Sequence, residues 1–572
     1  MQFIKTLYRS LFLINFYKPF KIYLILFLIL TLTVLEIIGI GLIVPLIYLF
    51  TETRDLNNNL LLSYIINFFN TDNKNQLIIF ISSLILFFFI TKNIILLIFS
   101  YLINKITYNL QEVFSYNLFK KYILMPWYFF LQTNSSVLIR NVLHQASDFS
   151  SKIVMPFINL IKESLMLLIL ITGLLFIDYK TTAIVVLFFF IFGLIYQLLT
   201  KNFFVNLGKK TQHTSLNRLK FFQEAIFLIK ELKILNRKEY FLNNYRNYNI
   251  LDTNLAIKTG TLTLIPKIWF ELISIIFFCT TIIFIASKSS NEHYIPKLVT
   301  IFFITGFKLL PSFNKIVSCF QTILIYKNIT DNLYTETLQI NKNLENNYKK
   351  KFFSFKNKIK LSNVSFHYLN QKKNVLDKIN LDIKKNTSIG IFGPSGCGKT
   401  TLVEILCGLL KPQDGDIFVD KKRIHESFKL KIGYATQNVF LIEDSILKNI
   451  AVGVEENKIN LDRVNFVLKI SCLNDLINKL PNGLNTNIGE RGARLSSGQK
   501  QRLGIARALY SSPEILIFDE STNALDKKTE SLIFNNIFNM KITFVVISHK
   551  WSLIKNLSSV YKFNKNYLEK FK

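Results

Sequence analysis

Apolar residues run in long unbroken blocks through the first half of the chain and in short blocks, punctuated by Gly and polar residues, through the second. Six of the long blocks, near residues 22–50, 77–103, 153–177, 182–200, 265–286 and 298–325, hold about the 20 residues that a helix needs to cross a bilayer. Helical spacing persists past several of them, so these helices are expected to continue outside the lipid. Residues 122–141 and 222–238 mix apolar and charged positions at the same spacing. They read either as plain extensions of the spans or as tips that press on another domain and transmit its motion. Residues 58–70 are apolar but too short to span, which suits a helix in the outer membrane interface or a loop.

The second half reads differently. From about residue 339 the chain turns polar and basic, as a linker to residue 359, and short apolar runs follow. Residues 387–392 read as a buried strand and 402–406 as a helix. Between them stands Gly393-Pro394-Ser395-Gly396-Cys397-Gly398-Lys399-Thr400-Thr401. A glycine-rich loop entering a helix lets backbone N–H groups converge on a polyphosphate, with the helix adding its positive dipole end. Lys399 can then reach the β- and γ-phosphates and the Thr400 hydroxyl can ligate Mg²⁺. Gln437 ends a further strand, and Leu495-Ser496-Ser497-Gly498-Gln499 opens a helix. Asp519-Glu520 ends an apolar strand, and His549 ends another. Asp519 can hold Mg²⁺ and Glu520 can act as general base on water. His549 can hold the γ-phosphate, and Gln437 can reach the metal. Tyr368, on a strand upstream, can stack on a base.

Composition changes the picture in two ways. Over 572 residues the chain is 50% hydrophobic yet carries a formal charge of +32, which suits a protein partly in lipid with basic segments outside it. An abundance of Lys, Asn, Ile and Phe of the kind AT-rich genomes encode supplies part of that charge. The basic residues are dispersed, so no nucleic-acid partner is inferred. They concentrate in the N-terminal tail (Lys5, Arg9, Lys18, Lys21) and between the second and third blocks (Lys105, Lys120, Lys121, Arg140). A third group lies between the fourth and fifth. Both termini are therefore expected in the cytoplasm. The first apolar block is too long for a signal peptide's core. Five cysteines without a Cys-x2-Cys pair suggest reduced thiols rather than a metal site or disulfides. Glu36, Lys92, Lys162, Glu163, Lys267, Glu271 and Lys308 are ionisable positions within spans, where such groups face a cavity or a partner. Lys92, Lys267 and Lys308 lie on three different spans and can line a cationic cavity, or they can snorkel or pair internally, Lys267 with Glu271 for instance.

Residues 360–572 resemble the nucleotide-binding domain of ATP-binding cassette (ABC) transporters, and the whole chain resembles a half-transporter of the type I exporter fold. The resemblance implies an α-helical membrane domain of six transmembrane helices over 1–338, then an α/β P-loop ATPase over 360–572. In its terms Gly393–Thr401 is the Walker A loop, Tyr368 the adenine-stacking aromatic and Gln437 the Q-loop. Leu495–Gln499 is the signature, Asp519 and Glu520 are Walker B and catalytic base, Asn523–Asp526 is the D-loop, and His549 is the switch histidine. Two positions depart from the pattern: Ser497 replaces a Gly of the signature, and Asn523 a Ser of the D-loop. ATP and Mg²⁺ are the implied cofactors. A homodimer sandwiching two ATP is the implied assembly, in the bacterial inner membrane. Glu36-Ile37-Ile38-Gly39 and Lys308–Ile316 are further similar to lipid-linked oligosaccharide flippases of the PglK type. That implies a polyprenyl-pyrophosphate substrate, with Lys92, Lys267 and Lys308 as its contacts. Lipid A or phospholipid flippases and drug or peptide exporters are the alternatives.

Overall fold

A computed structural model describes residues 2–14, 19–42, 74–177, 179–288, 294–345, 354–368, 373–424 and 430–572. The chain divides into two compact units, one formed by 1–125 and 133–342 and the other by 126–132 and 343–572.

The first unit is helical. Helix α1 (Gln2–Ile14) precedes α2 (Pro19–Gly41) and α3 (Lys74–Ile123). The short α4 (Trp127–Gln132), which belongs to the second unit, is followed by α5 (Ser135–Arg140) and α6 (Met155–Ile177). Then come α7 (Tyr179–Phe227), α8 (Ile229–Ile234), α9 (Lys238–Leu262), α10 (Ile265–Lys288) and α11 (Tyr294–Glu345). The six apolar blocks fall on α2, α3, α6, α7, α10 and α11. Among the described residues, runs 78–123, 135–173, 182–227 and 238–276 are long and apolar enough to cross a membrane. Their outward side chains suit lipid: Leu97 is 70% exposed and Leu198 76%.

The structure corrects several expected boundaries. Residues 122–141 are not one helix. The chain turns at 124–126, where Pro126 lacks the N–H a continuing helix would need, and α5 restarts under the cap of Asn134, whose side chain accepts from Ser136 N. Residues 222–238 likewise break into the ends of α7, α8 and α9. The expected linker from 339 is helical to Glu345, because Leu333, Thr337 and Ile340, at i, i+4 and i+7, carry the buried face of α11 past residue 339. Residues 43–50 of the first block and the segment 58–70 lie outside the described residues.

Helices in this unit meet closely. A Cβ built on Gly208 of α7 would stand 1.8 Å from the carbonyl oxygen of Ile325 on α11, so the two backbones touch where only glycine fits. Phe204, Leu324 and Ile325 form the core around that contact. Several buried polar groups are paired across helices. The Glu336 carboxylate accepts from Tyr122 Oη at 2.6 Å and from Asn141 Nδ2 at 2.6 Å, and Gln321 Nε2 donates to Tyr196 Oη at 2.6 Å.

The second unit holds two sheets. Strands β1 (Lys358–Phe366), β2 (Leu376–Lys384), β4 (Asp414–Val419) and β5 (Lys422–Ile424) form an antiparallel sheet in the order β2-β1-β4-β5. The larger sheet runs β10-β9-β3-β8-β7-β6. It comprises β3 (Ser388–Phe392), β6 (Ile432–Ala435), β7 (Ile515–Asp519), β8 (Thr543–Ile547), β9 (Ser559–Asn564) and β10 (Tyr567–Lys570). All neighbours there are parallel except β10 with β9. β7 and β8 are buried at every position, as their unbroken apolar sequences Ile-Leu-Ile-Phe and Phe-Val-Val-Ile require of central parallel strands. Helix α12 (Lys399–Leu406) leaves the loop after β3, and α13 (Ser497–Tyr510) precedes β7.

Candidate functional site: a phosphate loop beside a carboxylate hub

Strand register assembles the site. Ile391 pairs with Ile547, and Ile547 with Asp519, so β3, β8 and β7 end at one level. Ala435 pairs with Phe518, which puts the end of β6 beside them. The loops carrying Gly393–Gly398, His549, Asp519-Glu520 and Gln437 therefore leave the same sheet edge, the crevice where open parallel sheets bind ligands.

The phosphate loop is shaped by sterics. Gly398 sits at φ 104°, and a Cβ there would meet Leu376 Cδ2 at 2.8 Å and Val375 O at 2.9 Å. It is the N-cap of α12 and offers no side-chain cap, so the helix's first N–H groups keep their donors for an anion. The buried Lys399 donates from Nζ to the carbonyls of Gly393 (2.9 Å) and Pro394 (2.8 Å), and lies 3.5 Å from His549 Nε2. Tyr368 Oη and Thr401 Oγ1 are 3.1 Å apart, and the Tyr368 ring stands edge-on to Phe366. The tyrosine thus borders the same loop.

Glu520 is the hub. Its Oε1 lies 2.9 Å from His549 Nε2, and its Oε2 accepts from Gln437 Nε2 at 3.0 Å and from Asn523 Nδ2 at 3.3 Å. Its backbone is left-handed, at φ 49°, and its N–H donates to Ile547 O at 3.0 Å. Next to it, burial pushes the Asp519 carboxyl up from its ordinary pKa, while the Tyr434 hydroxyl, donating to Oδ2 at 2.9 Å, pulls it back.

Thr400, Gln437 and Asp519 offer oxygen donors of the kind Mg²⁺ takes. Among the described residues no group of three or more His, Cys, Asp or Glu can hold a metal by itself. Leu495 lies in a bend just before α13. Ser496 caps α13 and exchanges hydrogen bonds with Gln499 in a capping box. Ser497 is the first residue of the helix, a conformation that needs no glycine, so the exchange from Gly carries no backbone strain. A cleft of about 540 Å³ lies between Gln437, Ser497, Lys500 and Asn523.

Lys92, Lys267 and Lys308 are placed less uniformly. Lys92 on α3 is buried, with Nζ 4.8 Å from the Phe89 ring centre and close to Gly39 of α2. Lys267 on α10 is exposed. Lys308 lies on α11, its side chain outside the described residues. Glu163, another ionisable position, accepts from Ser312 Oγ at 2.9 Å.

Sequence reasoning missed three participants. Tyr434 reads as a strand residue and nothing in its neighbourhood marks the bond to Asp519. Asn523 stands out only as a departure, yet it reaches Glu520. Glu404, on α12, accepts from Trp127 Nε1 of α4 at 3.0 Å, and burial raises its pKa. The helical spacing of residues 122–141 was the one available signal, since it offered a docking tip among its readings.

Known proteins resemble the chain in both of its parts. The family model for the ABC transporter transmembrane region matches residues 42–307, and that for the ABC transporter matches residues 376–523. The leukotoxin translocation ATP-binding protein LktB of Mannheimia glucosida is 38% identical over 210 residues, 35% of this chain and 29% of that protein. The ATP-dependent lipid A-core flippase of Ralstonia nicotianae is 36% identical over 209 residues, 35% of each chain. The chain thus spans about a third of the length of these curated relatives. The structure of a bacterial Atm1-family ABC exporter with ATP bound superposes with a TM-score of 0.79 at 17% identity, covering 96% of this chain and 94% of that one, a likeness of fold.

Proposed function

Because the chain belongs to the ABC transporters, with the transmembrane region and the ATPase domain of that family in one polypeptide, we propose that it is half of an ATP-driven exporter that flips an anionic, lipid-linked substrate outward. The observation that carries the ATPase part is the Glu520 hub beside the phosphate loop. ATP binds with its phosphates on Gly393–Thr401 and its base against Tyr368. Lys399 meets the β- and γ-phosphates. Bound Mg²⁺ neutralises phosphate charge and would be held by Thr400, Gln437 and Asp519. Glu520 takes the proton of the attacking water, and His549 orients that water and the γ-phosphate. Leu495–Gln499 of a second copy closes over the nucleotide, so two identical chains make two complete sites, with the ATPase units in the cytoplasm and the helices in the bacterial inner membrane.

Tyr434 is a positioning residue in this scheme. Tyr434→Phe removes a hydrogen bond to a carboxylate, and the Mg²⁺ concentration for half-maximal ATPase is expected to rise about tenfold. A Mg²⁺ titration of the purified variant that overlays the wild type removes Tyr434 from the role.

A polyprenyl-pyrophosphate oligosaccharide is the substrate we favour. Its support is the burial of Lys92 beside Gly39, a glycine of the stretch similar to the PglK-type flippases, since an ionisable side chain within a span is kept where it serves a cavity or a partner. Reconstitution in liposomes tests it. Lipid-linked oligosaccharide is expected to stimulate ATPase, and neutralising Lys92, Lys267 and Lys308 together to raise the half-stimulating concentration at least about tenfold. Stimulation by apolar cations that ignores those changes would instead identify a drug exporter. Stimulation by lipid A alone would identify a lipid A flippase.

A further inference from the structure

Helix α1 has two faces. Thr6, Ser10 and Leu13 are buried, while Ile4, Tyr8 and Leu11 are exposed. Arg9 fastens the helix to α11 through an ion pair with Asp331, and its guanidinium lies 5.1 Å from the Tyr334 ring centre. Beneath α1 is a cavity of about 230 Å³ shared with α2, α3 and α6, walled by Leu7, Ile29, Ile106, Leu110 and Ile158. Of its described lining residues only Ser10 and Thr107 carry a polar side-chain atom. Both hydroxyls are already donated within their own helices, Ser10 Oγ to Leu7 O at 2.8 Å and Thr107 Oγ1 to Ile103 O at 2.9 Å.

A water molecule needs two to four polar partners, and the described lining offers only the acceptor lone pairs of these two hydroxyls, the bare minimum. A dry apolar cavity of about 150 Å³ already binds small hydrocarbons, and this one is larger. It also has an opening. Leu11, Leu26 and Ile161 line it and are themselves 49%, 38% and 40% exposed, continuous with the exposed Phe27 and Leu30 of α2. Leu26, Phe27 and Leu30 belong to the apolar block at 22–50, long enough to cross a bilayer, and an exposed apolar surface on such a helix suits lipid. We propose that this cavity holds one acyl chain of a phospholipid from the surrounding leaflet. The lipid lies wedged between α1 and the bundle, apart from the substrate path and from the lysines assigned to it. It ties the position of α1, and through Arg9 that of α11, to the leaflet.

Photolabelling of the full chain in nanodiscs tests this. The probe is phosphatidylglycerol with a diazirine midway along one acyl chain, and adducts are mapped by peptide mass spectrometry. Labels are expected on Ile29, Ile106 and Leu110, which are 0%, 7% and 6% exposed and out of reach of a lipid that merely surrounds the protein. They accompany labels on the exposed Leu97 and Leu198. Thr107→Phe fills the cavity and displaces at least two methylenes of the guest, so labelling of the three buried residues falls about tenfold while Leu97 and Leu198 label as before. Retained labelling at those two positions shows that the variant has folded. Ser10→Leu, from the opposite wall, gives the same loss. Wild-type labels confined to exposed residues overturn the proposal, as do buried labels that persist in both variants. A diazirine-bearing prenyl phosphate outcompeting the phospholipid at the same residues also overturns it.

Discussion

Glu520→Gln is expected to lower ATP turnover about 10²- to 10⁴-fold and to leave ATP binding nearly intact. The substitution changes little in shape. Gln437 and Asn523 donate N–H to Oε2, and a carboxamide oxygen in that place still accepts. The left-handed backbone at φ 49° and the N–H bond to Ile547 are untouched. What disappears is a base that can take a proton from water. Phosphate release at saturating ATP gives the first quantity, and retention of a fluorescent ATP analogue gives the second. A loss of turnover smaller than tenfold would move the base elsewhere, and a parallel loss of binding would make Glu520 a structural residue. Transport in liposomes should fall with hydrolysis.

Gly208→Ala is expected to cost the membrane unit about 3 kcal/mol or more, an unusually large effect for a single methyl group. The methyl would lie 1.8 Å from the Ile325 carbonyl oxygen, a backbone atom that cannot swing aside as a side-chain tip can. Helices α7 and α11 would have to part, opening the packing of Phe204, Leu324 and Ile325. Gly173 of α6 supplies the contrast. It is also helical, with nothing within 4 Å of its added Cβ, so Gly173→Ala should be neutral or slightly stabilising. Thermal unfolding of both variants as full chains in the same detergent compares them directly. Equal melting temperatures would show that α7 and α11 are not in backbone contact.

The sequence revealed what depends on local pattern. Apolar blocks marked the helices, because lipid tolerates only continuous hydrophobic surface. The loop at Gly393–Thr401 and the strand-end residues Gln437, Asp519 and His549 were legible because each sits at a fixed offset from a short apolar run. Their meeting at one sheet edge was not, since strand order β9-β3-β8-β7-β6 is a long-range property. Pairings fixed by tertiary contact were also silent. The bond of Tyr434 to Asp519 spans 85 residues and that of Trp127 to Glu404 spans 277. Nor could spacing show that Asn523, an exception to its motif, would join Gln437 on the Glu520 carboxylate.

The membership of residues 126–132 in the second unit bears on how that unit can be handled. Its chain is threaded in two pieces, so a fragment expressed from residue 343 onward is incomplete. In such a fragment Glu404 would lose its indole donor, and the apolar surface that Tyr128 covers would be bared. Proteins truncated at that seam should clump or melt early. A synthetic peptide spanning 126–132 should restore them.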